Sequence, residues 1–143
     1  MGETMECKLE ESKRKEARTL SAEKIKYGDW LSYQERVVQV IANNHYTAIV
    51  KDDQGVIACA HYQDLEPIKL SDAILGDNGW SYADEEYTKE YKWFKMCIDM
   101  LYPELYCVGV SSHLDYVHLT NIYYVHELQH ILTTLMTNDN IRL

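Results

Sequence analysis

Five residues near the end of the chain, His126-Glu127-Leu128-Gln129-His130, spell H-E-x-x-H. On a helix the two histidines lie one turn apart and can share a zinc ion, while the glutamate activates a bound water for hydrolysis. A catalytic zinc site of this kind takes a third protein ligand, usually from downstream of the helix. Beyond His130 the one plausible donor is Asp139, and the extension with a glycine and a third histidine is absent. Upstream, His113, Asp115 and His118 are the candidates. A zinc-dependent hydrolase therefore assigns catalysis to Glu127 and the metal to His126 and His130, with His113 or His118. The competing reading is an amphipathic helix whose surface histidines match the pattern by chance, and then no metal or other cofactor is implied. The missing downstream ligand favours this second reading.

No other catalytic constellation stands out. There is no Gly-rich phosphate loop, no G-x-S-x-G, and no cysteine with an evident histidine partner. Cys7, Cys59, Cys97 and Cys107 form no C-x-x-C pair and follow no zinc-finger spacing. Apolar neighbours, as in Ile57-Ala58-Cys59-Ala60, read them as reduced core thiols.

Charge narrows the partners. The net charge is −9, while residues 1–24 hold six acids and six bases, so the whole excess falls on residues 25–143. A body this acidic repels phosphate backbones, which disfavours general nucleic-acid binding. It suits instead a protein partner with a basic surface, and Asp84-Glu85-Glu86 reads as an exposed loop for such contact. Twelve tyrosines and three tryptophans against one phenylalanine fit antiparallel sheet, whose strands favour these residues. The same rings could stack on a base, so nucleotide sequestration is the alternative binding role, although no particular stacking residues are singled out.

The elements follow from pattern. Residues 3–19 read as a charged helix or arm, and a single α+β domain spans 20–143. Gly28-Asp29 marks a turn. Runs at Val37–Ile41, Tyr46–Val50 and Val56–Tyr62, separated by Asn43-Asn44 and Asp52–Gly55, predict two successive hairpins. Ser71-Asp72 caps a short helix ending at Gly76. Strands are predicted over Tyr87–Ile98 and Glu104–Ser111. From Val125, the apolar positions Leu128, Ile131, Leu132, Leu135 and Met136 form a helical stripe, with His126, Glu127, His130 and Thr134 on the polar face. The expected fold is a curved antiparallel sheet or small SH3-like barrel with this helix packed on it. Sheet edges of such small domains can pair, so a homodimer is possible. The N-terminus has no apolar leader core, and no stretch reaches membrane-spanning length, which predicts a soluble, intracellular protein.

Three segments resemble a family. Leu20–Leu31 (LSAEKIKYGDWL) resembles the opening "L-x-A-x-x-L-R-I-G-N-W-V" of a large set of small proteins common in Bacteroidetes genomes, their phages and mobile elements. Leu65–Ser71 (LEPIKLS) is similar to that family's "I-E-P-I-P-L-T", and Tyr124–His130 (YVHELQH) to its closing "Y-V-H-Q-L-Q-N". The resemblance covers residues 20–137, weakly between Ser71 and Tyr123. It implies Gln where this chain has Glu127 and Asn where it has His130, hence a non-catalytic helix. The family has no established activity. Its setting implies a bacterial cytoplasmic protein, and with the acidic charge a non-enzymatic inhibitor of host defence that blocks a basic surface.

Overall fold

The computed structural model describes residues 5–113, 115–135 and 137–143. The chain divides into two compact units, residues 1–68 and 69–143. The first holds helix α1 (Met5–Arg18) and strands β1 (Trp30–Tyr33), β2 (Arg36–Asn43), β3 (Thr47–Asp52), β4 (Ile57–His61) and β5 (Leu65–Pro67), with a 3-10 turn at Tyr62–Asp64. All pairings are antiparallel, in the order β4-β3-β2-β1-β5. A bulge between Val40 and Ala42 bends the β2–β3 pair.

Local chemistry accounts for the turns. Gly28 adopts φ +90°, open to glycine at little cost, and its N–H donates to the Val40 carbonyl (2.7 Å). Buried Asp29 accepts the Lys26 N–H on its carboxylate (2.8 Å), closing the turn that feeds β1. Asn44 takes the Tyr46 and Thr47 N–H groups on one oxygen, and Asp52 takes those of Gln54 and Val56. Inward-facing Leu31, Val38, Val40, Ala48, Val50 and Ala60 form the core of this unit. Cys59 points the other way and is exposed, correcting the expectation of a core thiol: strand alternation turns Ala58 and Ala60 inward instead.

The second unit contains α2 (Asp72–Asp77), β6 (Ser81–Ala83), β7 (Glu86–Glu90), β8 (Lys95–Tyr102), β9 (Leu105–Ser112), β10 (Asp115–Ile122) and α3 (Val125–Thr134). Ser71 caps α2 by accepting the Ile74 N–H (3.2 Å). The five strands make an antiparallel meander, β10-β9-β8-β7-β6. The single strand expected over Tyr87–Ile98 is two strands, because Tyr91–Phe94 turns the chain. Tyr91 N–H donates to the Phe94 carbonyl (2.8 Å), and the two rings stack 5.3 Å apart. Residues 137–143 are tied down by side chains. Asn78 bonds both backbone groups of Arg142, Lys89 pairs with Asp139 (2.7 Å), and Ile141 is buried.

The fold is α+β, with open antiparallel sheets and a C-terminal helix. The barrel alternative is not realised, since β4 and β5 remain free edges of the first sheet. Among the described residues no helix is long and apolar enough to cross a membrane.

Candidate functional site

The H-E-x-x-H residues occupy the first turns of α3. Val125, His126, Leu128, Gln129 and Leu132 are its buried positions, while Ile131 and Leu135 are half-buried. The buried arc is thus rotated from the expected stripe, and Met136 lies outside the described residues. His126, expected at the surface, is 3% exposed; its ring lies near-parallel to Tyr124, 6.1 Å away, and edge-on to His130 at 5.6 Å. Buried Gln129 donates to Asn140 Oδ1 (3.0 Å). Glu127, the third helical residue, accepts the N–H groups of Tyr123 (3.0 Å) and Tyr124 (3.1 Å) on one carboxylate oxygen. That is an N-terminal cap, which satisfies donors that the helix itself leaves open.

The remaining zinc candidates do not converge. His113 is exposed at a turn with φ +55°. His118 sits on exposed β10, where its Nε2 pairs with Asn121 Oδ1 (3.0 Å). Asp139 is held by Lys89 and by the Tyr91 hydroxyl, both at 2.7 Å. Among the described residues, no three His, Cys, Asp or Glu side chains are placed to hold a metal ion. The donor set does not fit a catalytic zinc.

The acidic segment has more structure around it than a loop. Asp84 and Glu85 are the two central residues of the β6–β7 hairpin, with φ +54° and +63°. Both lie in the left-handed region that such two-residue turns require, at a cost of about 1 kcal/mol for a side-chain-bearing residue. Glu86 begins β7. These three line an open concavity of 510 Å³ together with Asp72 of α2, Asp99 and Met100 of β8, and Tyr82 and Tyr87. The two tyrosine rings meet across the hairpin with centroids 4.7 Å apart. No Lys, Arg or His is among the lining residues. Burial, reinforced by the Asp72 carboxylate, pushes the Tyr87 hydroxyl above its ordinary range and the Tyr106 hydroxyl up to about 12. Tyr106 donates to Asp72 (3.4 Å), which anchors that carboxylate at the rim.

Asp84, Glu85 and Glu86, expected as an exposed loop for partner contact, line this concavity, together with Asp72, Asp99, Tyr82 and Tyr87, which no sequence pattern singles out for such contact. Asp72 reads as a helix-start residue, and Asp99 falls just past the strand predicted over Tyr87–Ile98. The β6–β7–β8 register brings Tyr82, Tyr87 and Asp99 to the hairpin, and α2 adds Asp72.

A second, smaller concavity of 320 Å³ lies in the first unit, between Tyr33, Arg36 and Asp52. Arg36 pairs with Asp52 there (3.3 Å), and the Val56 and Gln54 amides with Arg36 hold the Asp52 carboxyl below its usual range. These groups satisfy each other and the β3–β4 turn, leaving no free charge to recognise a ligand. No protein-family model, curated protein or solved structure matches the chain.

Proposed function

We propose that this protein is a non-enzymatic binding module that receives a basic segment of a protein partner in the acidic concavity of residues 69–143. The supporting observation is that five carboxylates and a tyrosine pair share one open concavity that no cation lines. Residues 69–143 carry eleven acids against five bases, so the surrounding field reinforces the local one. A lysine or arginine entering there meets carboxylates for its charge and ring faces for cation–π contact. In the specific version, the protein is a phage or mobile-element product of the bacterial cytoplasm. It inhibits host defence by covering a basic, nucleic-acid-holding surface. The segments at Leu20–Leu31, Leu65–Ser71 and Tyr124–His130 that resemble the Bacteroidetes family support that setting.

Calorimetry with a lysine-rich peptide at low salt tests the module. Neutralising Glu86 and Asp99 together (E86Q/D99N) should weaken binding about tenfold, at ~0.5–1 kcal/mol per charge. Asp53→Asn, in a turn of the other unit, should leave binding unchanged. Equal affinity for all three proteins refutes the site. Pull-downs from host lysate that capture no basic nucleoprotein refute the inhibitor version alone.

Nucleotide sequestration is the weaker reading, because the Tyr82–Tyr87 pair lies among carboxylates that repel phosphate. A stabilising thermal shift with millimolar nucleotide would favour it over the module.

A further inference from the structure

The four free sheet edges differ in length and dress. β4, β5 and β6 have five, three and three residues, and β5 ends in a proline, a residue that blocks further pairing. β10 has eight residues and, among the described residues, pairs only with β9. Asp115 through Asn121 are all exposed, and the strand contains no Lys, Arg or Pro. Its one charge is Asp115, at the first position.

The inner register gives this edge an apolar face. Met96 of β8 sits beside Val110 of β9, which sits beside Val117 of β10. Exposure along that row rises from 0% at Met96, through half-buried Val110, to 55% at Val117. The apolar side of the sheet therefore continues to its margin. The register shift between His118 and Thr120 adds a further exposed apolar side chain, Leu119, and leaves Asp115–His118 in unbroken register.

We propose that β10 is the seam of a homodimer, in which a second copy of this chain adds its own β10 antiparallel and joins two five-stranded sheets into one of ten. The charge layout suits a second copy as the occupant. Antiparallel pairing about a two-fold axis sets each Asp115 toward the Ile122 end of the other strand, so the lone charges do not meet. The acidic β6–β7 hairpin lies at the opposite edge of the same sheet, so the main repulsive charge stays away from the seam. Apolar rows then run on across the axis, and the open backbone groups of β10 find partners. The seam is separate from the acidic concavity and does not depend on its role.

Analytical ultracentrifugation of the whole chain, from about 1 to 200 µM, tests the seam, since a single-strand interface is small and concentration-dependent. The wild type should pass from its 16.8 kDa monomer mass to twice that value. Val117→Thr keeps an uncharged strand former and should dimerise within about threefold of wild type. Val117→Lys sets like charges close to the axis and should weaken the dimer at least tenfold. Amide exchange across residues 115–122 should slow as concentration rises. A wild type that stays monomeric at about 200 µM overturns the proposal. So does a Val117→Lys dimer as tight as wild type, or a dimer that leaves the β10 amides unprotected.

Discussion

Replacing Glu127 by alanine removes one oxygen that two backbone amides share. The amides of Tyr123 and Tyr124 donate to it from 3.0 and 3.1 Å, and both residues are more than nine-tenths buried. Water therefore replaces the lost acceptor poorly. Hydrogen bonds to charged groups contribute about 1.5–3 kcal/mol, and losing a helix cap costs about 1 kcal/mol. With one carboxylate serving both amides, about 2 kcal/mol is expected. For a domain of 60–100 residues, the size class of residues 69–143, that lowers Tm by about 8–16 °C. Glu127→Gln keeps a neutral acceptor and should lose about half as much. His130→Asn, at a half-buried position, should cost under about 1 kcal/mol.

Thermal melts followed by circular dichroism, with metal analysis of each purified variant, separate the cap from a catalytic base. A base activating zinc-bound water can be deleted with little effect on Tm, whereas a cap cannot. Glu127→Ala melting within about 2 °C of wild type would refute the capping argument. Stoichiometric zinc in the wild type that His130→Asn loses would restore the hydrolase.

Other perturbations read other parts of the second unit. A Cβ added at Gly109 coincides with the Tyr116 phenol, so Gly109→Ala should lift that exposed ring off the sheet with a loss under about 1.5 kcal/mol. Because the phenol lies against Cys107 and near Cys97, thiol labelling should then accelerate; an unchanged rate would show that the ring covers neither. At Asp139, burial alone would raise the pKa, but the hydrogen bonds from Lys89 and Tyr91 outweigh it and hold the carboxyl below its ordinary 3.8. A depressed folded-state pKa gives stability that is present above the unfolded value and fades as pH falls below it. The advantage of wild type over Asp139→Asn should accordingly be full near pH 6 and shrink below about pH 4; a pH-independent gap would remove the charge from the account. Asp29→Ala should destabilise the first unit by about 1–3 kcal/mol by leaving the Lys26 N–H without its acceptor, as urea melts of the variant can measure.

What could be read from the chain follows the range of the interaction. The Gly28-Asp29 turn, the Ser71 cap and the β2–β3 and β3–β4 hairpins rest on contacts within a few residues, and each is legible from residue type alone. β10 was not anticipated, because Asp115–Asn121 is exposed on both faces and lacks the buried alternation that marks a strand. The split of Tyr87–Ile98 was hidden because Tyr91–Phe94 turns without Gly or Pro, closing instead through a backbone bond and a ring stack. The concavity joins residues of α2, a hairpin tip and β8, so its membership depends on register. The rotation of α3 is likewise tertiary: buried Gln129 donates its amide to Asn140, eleven residues on.

The same logic decides the opening motif. H-E-x-x-H states a spacing along a helix but not where in the helix it falls. In α3, Val125 is the first helical residue, which makes His126 the second and Glu127 the third. A carboxylate at the third position is drawn back to the open amides and positive dipole end of its own helix. In α3 one of its oxygens takes the Tyr123 and Tyr124 amides. His126, in the entry turn between buried Tyr124 and Leu128, goes inward with its neighbours. Metal chemistry needs both histidines to face a common site with the glutamate beside it. Placing the pattern at the helix start assigns Glu127 to capping and His126 to packing instead.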